Sequence, residues 1–379
     1  MKSPTHGIFF KNQFEGLSKY VDISIINIKT DWIGSPKRLF FGKQDIISDI
    51  HEQDIHIYQD KCTAIPKLQP FSSPSYKRKG IEAFNRLVEV QGMPDLIHAH
   101  ITYPGGYIGL ELSEKFNIPL IVTEHASYFS GQLTKGLYKK FSNKVLKGAN
   151  KYTAVSEVLA EKIVISGRKE CLVIPNFINV SDFPLKPITT ENKNFSFINI
   201  AALRHIKGID ILLKATKILV SEIGRKNFKI HLVGGGKDER KYRKMAEQLG
   251  IINWCHFHGN VEHNKIPSLI HNSDALVIAS RAETFCIAGI EAMACGIPVL
   301  STNCGGTNEY ITNETGYKIE GFSPEELAAG MSKMMDQKER WESEKIREFV
   351  KNNYSVEVVS EQIVKLYNRV LQINESAKG

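Results

Sequence analysis

Short runs of β-branched and aliphatic residues alternate with longer amphipathic stretches along the whole chain. Strands that alternate with helices predict parallel sheets joined by crossover helices, which is the α/β class. The strands predicted in the first half are residues 21–28, 55–58, 96–99, 120–123, 152–155 and 172–174. Those predicted in the second half are residues 197–201, 229–233, 255–257, 275–278 and 298–302.

A polar, proline-bearing segment, residues 184–194, separates the two series of strands. At roughly 100–200 residues per domain, a chain of 379 residues also favours two domains. We predict doubly wound domains over residues 1–190 and 191–354, then a C-terminal helix over 355–379 that packs back towards the first domain. Because ligands bind outside the carboxyl ends of such strands, the expected site is a cleft between two facing domains.

The start of the sequence lacks the strand with which a doubly wound domain opens. Residues 1–7 have a loop-like pattern, and the first predicted helix begins near Ile8. In the common order the first strand is central, and without it both neighbours expose unpaired backbone groups. We therefore expect a strand within roughly 10–15 residues upstream of the sequence as given. An altered strand order is the alternative.

Composition excludes several classes of protein. No apolar run approaches the length of about 20 residues that a membrane span needs. The N-terminus has no apolar signal core, so we expect a cytoplasmic protein, with the inner face of the membrane as a place where it acts. The six cysteines form no C-x-x-C pair, which argues against a zinc cluster and a disulfide framework.

Most of the net positive charge lies in the first half. Residues 1–190 carry 24 basic and 18 acidic residues, which favours an anionic partner there. Between Glu124 and Glu157 there is no acid, and Leu137, Phe141 and Val145 repeat every four residues as one apolar helix face. The lysines of this gap are Lys135, Lys139, Lys140, Lys144, Lys147 and Lys151.

Two interpretations of this basic stretch stay open. A basic amphipathic helix suits docking on an anionic membrane. Alternatively, the helix packs on its own domain and its lysines are simply solvated. No nucleic-acid-binding motif accompanies the charge, so a membrane surface is the better candidate than nucleic acid.

Residues 280–308, S-R-A-E-T-F-C-I-A-G-I-E-A-M-A-C-G-I-P-V-L-S-T-N-C-G-G-T-N, carry the most chemistry. Glu283 lies in a loop before a predicted helix, and Glu291 follows eight residues later, about 12 Å along a helix. Backbone N–H groups between them, at the helix start, are suited to phosphate oxygens. Carboxylates are suited to sugar hydroxyls. Small residues at Ala288 and Gly289 permit close approach of a ligand. The alternative is a helix with two solvated acids.

Glu-x7-Glu followed by G-I-P-V-L-S-T and C-G-G resembles the signature of the family-four retaining glycosyltransferases of GT-B fold. The resemblance implies two Rossmann-like domains that face a central cleft. It implies transfer of a sugar from a nucleotide-sugar donor to a saccharide or lipid-linked saccharide acceptor, for a surface polysaccharide. The family usually has glycine where this chain has Cys286, so we expect a narrower pocket beside the donor sugar.

A second donor element is N-I-A-A-L-R-H-I-K-G-I-D, residues 199–210. Arg204 and Lys207 are placed to neutralise a diphosphate. In the resembling family an arginine sits five residues before the lysine, where this chain has Ala202. We expect Arg204 to substitute from the other side of the loop, and a solvated basic loop is the alternative.

The resemblance implies further donor-binding residues. It places the glycine turn at Gly234, and Val261 of H-G-N-V, beside the nucleobase. It also places Gly7 in the loop that follows the first strand of the family. At the helix start it implies donor contacts from Phe285, Cys286, Ile287 and Ala288.

No metal or other cofactor is expected. The D-x-D pair that commonly holds the divalent ion of GT-A transferases is absent from the chain. Its absence suits an enzyme that stabilises the leaving diphosphate with Arg204, Lys207 and a helix N-terminus.

Histidines follow two predicted strands of the first half. The string D-L-I-H-A-H, residues 95–100, alternates His98 and His100 with apolar residues, and a packed histidine is the better interpretation of His98. In the resembling family the histidine of the motif I-V-T-E-H-A-S faces the cleft and is needed for activity. Here it is His125, which we assign with Glu283 to catalysis, because imidazole donates and accepts near neutral pH. A structural histidine is the alternative.

Two rival functions remain. A GT-B-type sugar-nucleotide epimerase needs no acceptor and leaves the basic stretch unexplained. A degenerate relative that binds nucleotide sugar without catalysis is compatible with Cys286 and Ala202.

Overall fold

The computed structural model describes residues 8–32, 48–52, 55–64, 73–126, 129–132, 136–187 and 194–376. Its helices are α1 (Ile8–Leu17), α2 (Ser73–Gln91), α3 (Tyr107–Phe116), α4 (Phe129–Gln132), α5 (Gly136–Gly148), α6 (Glu157–Ile165), α7 (Ile209–Ser221), α8 (Glu239–Gln248), α9 (Ile266–His271), α10 (Ile287–Ala294), α11 (Pro324–Asp336), α12 (Ser343–Tyr354) and α13 (Val356–Ser376). Its strands are β1 (Ser24–Trp32), β2 (Ser48–Glu52), β3 (Ile55–Ala64), β4 (Ile97–His100), β5 (Leu120–Glu124), β6 (Lys151–Ala154), β7 (Leu172–Val173), β8 (Phe195–Ile200), β9 (Phe228–Val233), β10 (Cys255–Gly259), β11 (Ala275–Ile278), β12 (Val299–Ser301) and β13 (Gly316–Lys318). The α/β class predicted from the alternation is confirmed.

Residue contacts divide the chain into two compact units. Of the described residues, the C-unit comprises those within Pro175–Val359 and those up to Asn12, and the N-unit comprises those within Gln13–Ile174 and Ser360–Gly379. The division falls earlier than the polar segment 184–194, of which residues 188–193 lie outside the described ranges. The reason is that the backbone of Ile178 is hydrogen-bonded to Tyr354 and Val356, at 3.0 and 3.1 Å.

The C-unit contains one six-stranded parallel sheet, in the order β10-β9-β8-β11-β12-β13. β8 is central because it pairs with β9 on one side and β11 on the other. Phe197 and Ile198 of β8 are wholly buried, as expected for a parallel strand with helices on both faces. The loops after β8, β9, β10 and β11 carry the residues that the sequence assigns to the donor.

The N-unit contains two sheets, with the orders β1-β3-β2 and β4-β5-β6-β7. Phe84, Leu112 and Ile118 form an apolar cluster that packs against both Ile26 of β1 and Ile97 of β4, so one helical layer covers both sheets. Within the described ranges no strand pairs with both β1 and β4. The strand expected ahead of Gly7 falls outside those ranges, and its existence stays a prediction.

The C-terminal helix α13 packs on the second sheet of the N-unit. Leu366 and Val370 form a cluster with Ile121 of β5. The Tyr367 hydroxyl lies 2.6 Å from Nδ1 of His98, within β4. The helix therefore covers the strands that carry the predicted histidines.

Helix α5 turns its apolar face towards its own unit. Val145 is fully buried, and the ring of Phe141 lies 4.6 Å from that of Tyr107 and 5.8 Å from that of Tyr103. Lys144 contacts the carboxylates of Glu111 and Glu114. The packed-helix interpretation thus accounts for the apolar stripe, while Lys135 lies outside the described ranges. No helix in those ranges has both the length and the apolarity needed to cross a membrane.

Candidate active site

The loop between β11 and α10 is clamped by the segment that follows β12. The Glu283 N–H donates to the Cys304 carbonyl at 2.8 Å, and the Gly306 N–H donates to the Glu283 carbonyl at 3.0 Å. Cys286 then caps α10 with φ of 69°, a left-handed conformation that costs a residue with a Cβ roughly 1–2 kcal/mol. A strained residue held at the start of a helix is typical of a ligand site.

Two glycines let the start of α10 pack directly on its neighbours. A Cβ on Gly289 would lie 2.1 Å from the Tyr310 hydroxyl, and one on Gly306 would lie 2.2 Å from the Thr284 backbone. The same Tyr310 hydroxyl donates to the Cys286 carbonyl at 3.0 Å. This packing holds the first turn of α10 in place while Ala288 remains half-buried.

Phe285 contributes to the core and not to a pocket. Its ring is fully buried, with centroids 5.5 Å from Tyr310 and 5.6 Å from Tyr354. Only its backbone is therefore available to a ligand. Ile287, by contrast, is half-buried in the first turn.

Lys207 and Glu283, which the sequence assigns to diphosphate and sugar, form an ion pair. The Lys207 ammonium donates to both carboxylate oxygens, at 2.6 and 2.8 Å, and the Ser280 hydroxyl donates to Oε1 at 2.6 Å. Burial acts to lower the pKa of Lys207, but attraction to Glu283 outweighs it and the pKa is raised. The pair joins the loop after β8 to the loop after β11.

A second ion pair shapes the basic loop. Arg281 donates to both carboxylate oxygens of Asp210, at 2.8 and 2.6 Å, and to the His205 carbonyl at 2.7 Å. The sequence analysis missed this pair, although an arginine next to a strand end and an aspartate at a helix start were visible signals. Arg204 is exposed beside it.

The glycine turn after β9 lies against the loops after β8 and β10. Gly234 has φ of 125°, its N–H donates to the Gly259 carbonyl at 2.8 Å, and a Cβ there would lie 2.2 Å from the Ala201 carbonyl. The Asn260 side chain accepts from the Gly235 N–H at 2.8 Å. These contacts bring Gly234 close to the segment that carries the half-buried Val261.

Glu291 has a histidine partner that the sequence analysis did not identify. Nε2 of His263 lies 2.9 Å from Oε1 of Glu291, and both side chains are largely buried. The hydrogen bond to Glu291 raises the pKa of His263 against the opposing effect of burial. Because the two residues are 28 positions apart, only the tertiary structure brings them together.

In the N-unit, three histidine rings form a column that runs from His98 within β4 to His100 at the end of β4 and His125 just after β5. Nδ1 of His100 lies 3.0 Å from Nε2 of His125, with ring centroids 5.2 Å apart, and the His98 and His100 rings stack at 4.6 Å. Nε2 of His98 also contacts the Thr123 hydroxyl at 2.6 Å. Burial, and then repulsion by His125, lower the pKa of His98 to about 3. His98 is a packed histidine, as its apolar surroundings in the sequence predict.

Glu124 fixes the backbone beside this column. Its carboxylate is fully buried and accepts from the backbone N–H groups of Thr102, His125 and Ala126, at 2.8, 2.9 and 2.7 Å. Burial raises its pKa, although these hydrogen bonds act in the opposite direction. The acid therefore fixes the backbone at His125 and at the loop after β4, where Ile101 has φ of 62°.

The structure gathers most predicted donor residues in the C-unit and places His125 in the N-unit. Lys207, Glu283 and Cys286 share one corner of the C-unit, with Glu291 further along α10. Gly7 lies outside the described ranges. Among the residues that are described, no three His, Cys, Asp or Glu side chains are grouped as metal ligands.

Two family models match neighbouring parts of the chain. Residues 47–182 match the model described as Glycosyltransferase Family 4, and residues 184–356 match the one described as Glycosyl transferases group 1. An uncharacterised glycosyltransferase of Methanocaldococcus jannaschii is 27% identical over 73% of this chain and 75% of its own. The putative teichuronic acid biosynthesis glycosyltransferase TuaC of Bacillus subtilis is 25% identical over 87% of this chain and 85% of its own.

Solved structures share the fold at lower identity. Sucrose-phosphate synthase from Thermosynechococcus elongatus superposes with a TM-score of 0.79 at 21% identity, over 97% of this chain and 93% of that one. HepE of Anabaena, solved with UDP and glucose, gives 0.73 at 20% identity, over 97% and 98%. With both family models matched in succession and this fold shared, the chain belongs to the family-four glycosyltransferases and has the GT-B fold.

Proposed function

We propose that this glycosyltransferase moves a sugar from a nucleotide-sugar donor to a saccharide or lipid-linked saccharide, with retention of configuration and without a metal ion. The observation that carries the proposal is the Lys207–Glu283 pair at the entrance of α10. A half-buried cation, a carboxylate and the backbone N–H groups of a helix start are the groups that a sugar diphosphate requires.

Donor binding exchanges the partner of Lys207. In the free protein the ammonium is neutralised by Glu283. A diphosphate brings its own negative charge to this corner, so Lys207 turns to it together with Arg204. Glu283 then accepts hydrogen bonds from the donor sugar, while Ser280 continues to orient it.

The same cations replace a metal in the chemical step. As the bond to the sugar breaks, negative charge grows on the leaving phosphate. Lys207, Arg204 and the N-terminus of α10 stabilise that charge where it develops. The leaving phosphate takes the proton from the acceptor hydroxyl on the same face of the sugar, which produces retention.

We assign His125 to orientation of the donor sugar and the acceptor. The neighbouring Glu124 does not serve as a nucleophile in a double displacement, because three backbone N–H groups already occupy its carboxylate. A retaining glycosidase instead keeps an available carboxylate next to the anomeric carbon. Direct reaction on one face is therefore the mechanism that we propose.

We place the reaction at the inner face of the membrane, in surface polysaccharide biosynthesis. TuaC, which resembles this chain over most of its length, is named for teichuronic acid biosynthesis. Lys139, Lys140 and Lys147 of α5 are exposed, whereas the apolar face of that helix is buried. Contact with anionic lipid therefore depends on charge rather than on insertion of an apolar face.

A panel of nucleotide sugars tests the function. HepE was solved with UDP-glucose, so UDP-sugars come first, followed by GDP- and ADP-sugars, each with and without lipid-linked saccharide acceptors. We expect release of nucleoside diphosphate that depends on the acceptor and is unchanged by EDTA. Conversion of the donor sugar without an acceptor would establish the epimerase. Binding without turnover for every donor and acceptor would establish the degenerate relative.

A further inference from the structure

His263 is a titratable residue of the C-unit that the proposed reaction does not use. It opens the short turn His263–Lys265 that leads into α9, and its Nε2 lies 2.9 Å from Oε1 of Glu291. The exposed fraction of the side chain is 23% for His263 and 10% for Glu291. A carboxylate so far from water needs a hydrogen-bond donor to hold it.

The position of the imidazole is fixed from a second side. The ring of Phe183, itself buried, meets the His263 ring edge-on with centroids 5.6 Å apart. Asp182 adds a smaller attraction, and the nearby Lys265 is paired with Glu262. His263 is therefore oriented by packing, and its donor nitrogen points at Glu291.

Within the described ranges, His263 is the hydrogen-bond partner of the Glu291 side chain. A carboxylate has about four acceptor positions. One is taken by His263 on Oε1, which leaves Oε2 and the other lone pair of Oε1 for a ligand. Glu291 lies one turn beyond the half-buried Ile287 and Ala288, on the same face of α10.

We propose that His263 is a positioning residue for nucleotide recognition, which aims the Glu291 carboxylate at the two hydroxyls of the donor ribose. This inference rests on the proposed function, in which Glu291 binds the ribose. A carboxylate already held in its bound rotamer loses less freedom when the ligand arrives. The ligand class is a nucleoside diphosphate with an intact 2′,3′-diol.

The matched variants are His263→Gln and His263→Leu. The glutamine amide places an N–H donor close to the position of Nε2, whereas leucine has a similar volume and no donor. Calorimetry compares UDP with 2′,3′-dideoxy-UDP, and the same pair of GDP and ADP ligands is used if those nucleotides bind. Thermal melting confirms that each variant folds, and His263→Asn, whose amide is too short to reach Glu291, replaces leucine if that variant does not.

We expect the wild-type protein to bind UDP at least roughly tenfold more tightly than the dideoxy analogue, since hydrogen bonds to a charged group are among the strong ones. His263→Leu should lose most of that preference while its affinity for the dideoxy analogue stays within about twofold. His263→Gln should keep most of the preference. This pattern separates aiming of Glu291 from a general structural role.

Each other outcome overturns a specific statement. An unchanged preference in His263→Leu would refute the role of His263 and leave the donor site intact. Equal loss of affinity for both ligands would show that His263 is merely structural. A wild-type protein that binds nucleotides without preferring the diol would refute the ribose assignment of Glu291. Failure to bind any nucleoside diphosphate would refute the proposed function itself.

Discussion

At the scale of single residues, the backbone of Cys286 carries the most unusual conformation of the donor loop. Its φ of 69° is one that glycine adopts without strain, and α10 begins at the next residue. Tyr310 holds the Cys286 carbonyl, so the conformation is imposed by the surrounding packing. A cysteine at this position therefore lowers the stability of the fold relative to glycine, and it does so where we expect the donor sugar to bind.

We predict that Cys286→Gly stabilises the C-unit by about 1 kcal/mol, because it removes the left-handed strain. Denaturant unfolding measures the change, and Cys286→Ala is the control because alanine keeps the Cβ and the strain. Removal of the side chain should also widen the range of donor sugars accepted. Lower stability of the glycine variant would show that the thiol contributes more by packing than its backbone costs.

The His263–Glu291 pair makes stability depend on pH. The folded pKa of His263 lies above its unfolded value, so the stabilisation is fully present below the unfolded pKa. It is lost as pH rises through the folded pKa. We predict that wild type exceeds His263→Gln in unfolding free energy by more at pH 6 than at pH 9, as measured in denaturant. A gap that is independent of pH would show that the charge of His263 does not contribute.

His125→Ala should lower turnover by about 100-fold, the scale on which misplaced reactants lose rate, while donor affinity by calorimetry stays close to wild type. Glu291→Ala is the complementary variant, with a higher donor Michaelis constant because the ribose contact is lost. Wild-type turnover in His125→Ala would identify the histidine as structural. Because Nε2 of His125 contacts Nδ1 of His100, the variant also tests whether the histidine column contributes to turnover.

At the scale of elements, the sequence predicted strands where buried runs are continuous and missed those without such a pattern. β8 and β11 are buried along almost their whole length, and both were predicted close to their observed bounds. β2, with the sequence S-D-I-H-E, is antiparallel and polar, and β13 has three residues, so neither has a periodic signal. The local sequence pattern thus identifies central strands, whereas edge strands such as β2 and β13 are recognised only from their pairing with a neighbouring strand.

The contacts of the site were less predictable than its residues. Lys207 and Glu283 were both assigned to the candidate site from the sequence, but their pairing across 76 positions depends on two loops that meet at one sheet edge. His263 gave no signal, because a lone histidine in a turn has no periodicity. Chemistry-bearing residues are visible in a sequence, whereas their partners depend on tertiary packing.

The proposed membrane contact can be tested through the lysines of helix α5. Reversal of Lys139, Lys140 and Lys147 to Glu should abolish sedimentation with anionic liposomes, since each lysine near such a surface contributes about 1 kcal/mol. Lys144→Gln is the matched control, because that lysine is engaged by Glu111 and Glu114. Equal sedimentation of wild type and the triple variant would contradict membrane docking through this helix.

At the scale of the whole molecule, the chemistry is divided between two units. The residues that we assign to the donor lie on loops at one edge of the six-stranded sheet of the C-unit, whereas His100 and His125 lie at the ends of β4 and β5 in the N-unit. A division of this kind lets donor and acceptor recognition vary separately on one scaffold. Because of this division, we expect a substitution in the histidine column of the N-unit to lower turnover while donor binding by the C-unit persists.

The most direct test of the account is the configuration of the new glycosidic bond. The enzyme is incubated in EDTA with its donor and acceptor. NMR of the product then reports the configuration of the new bond at the anomeric carbon. We predict the same configuration as in the donor, at a rate that EDTA does not change. An inverted product, or transfer that requires added divalent cation, would contradict the assignment of the leaving-group charge to Lys207, Arg204 and the start of α10.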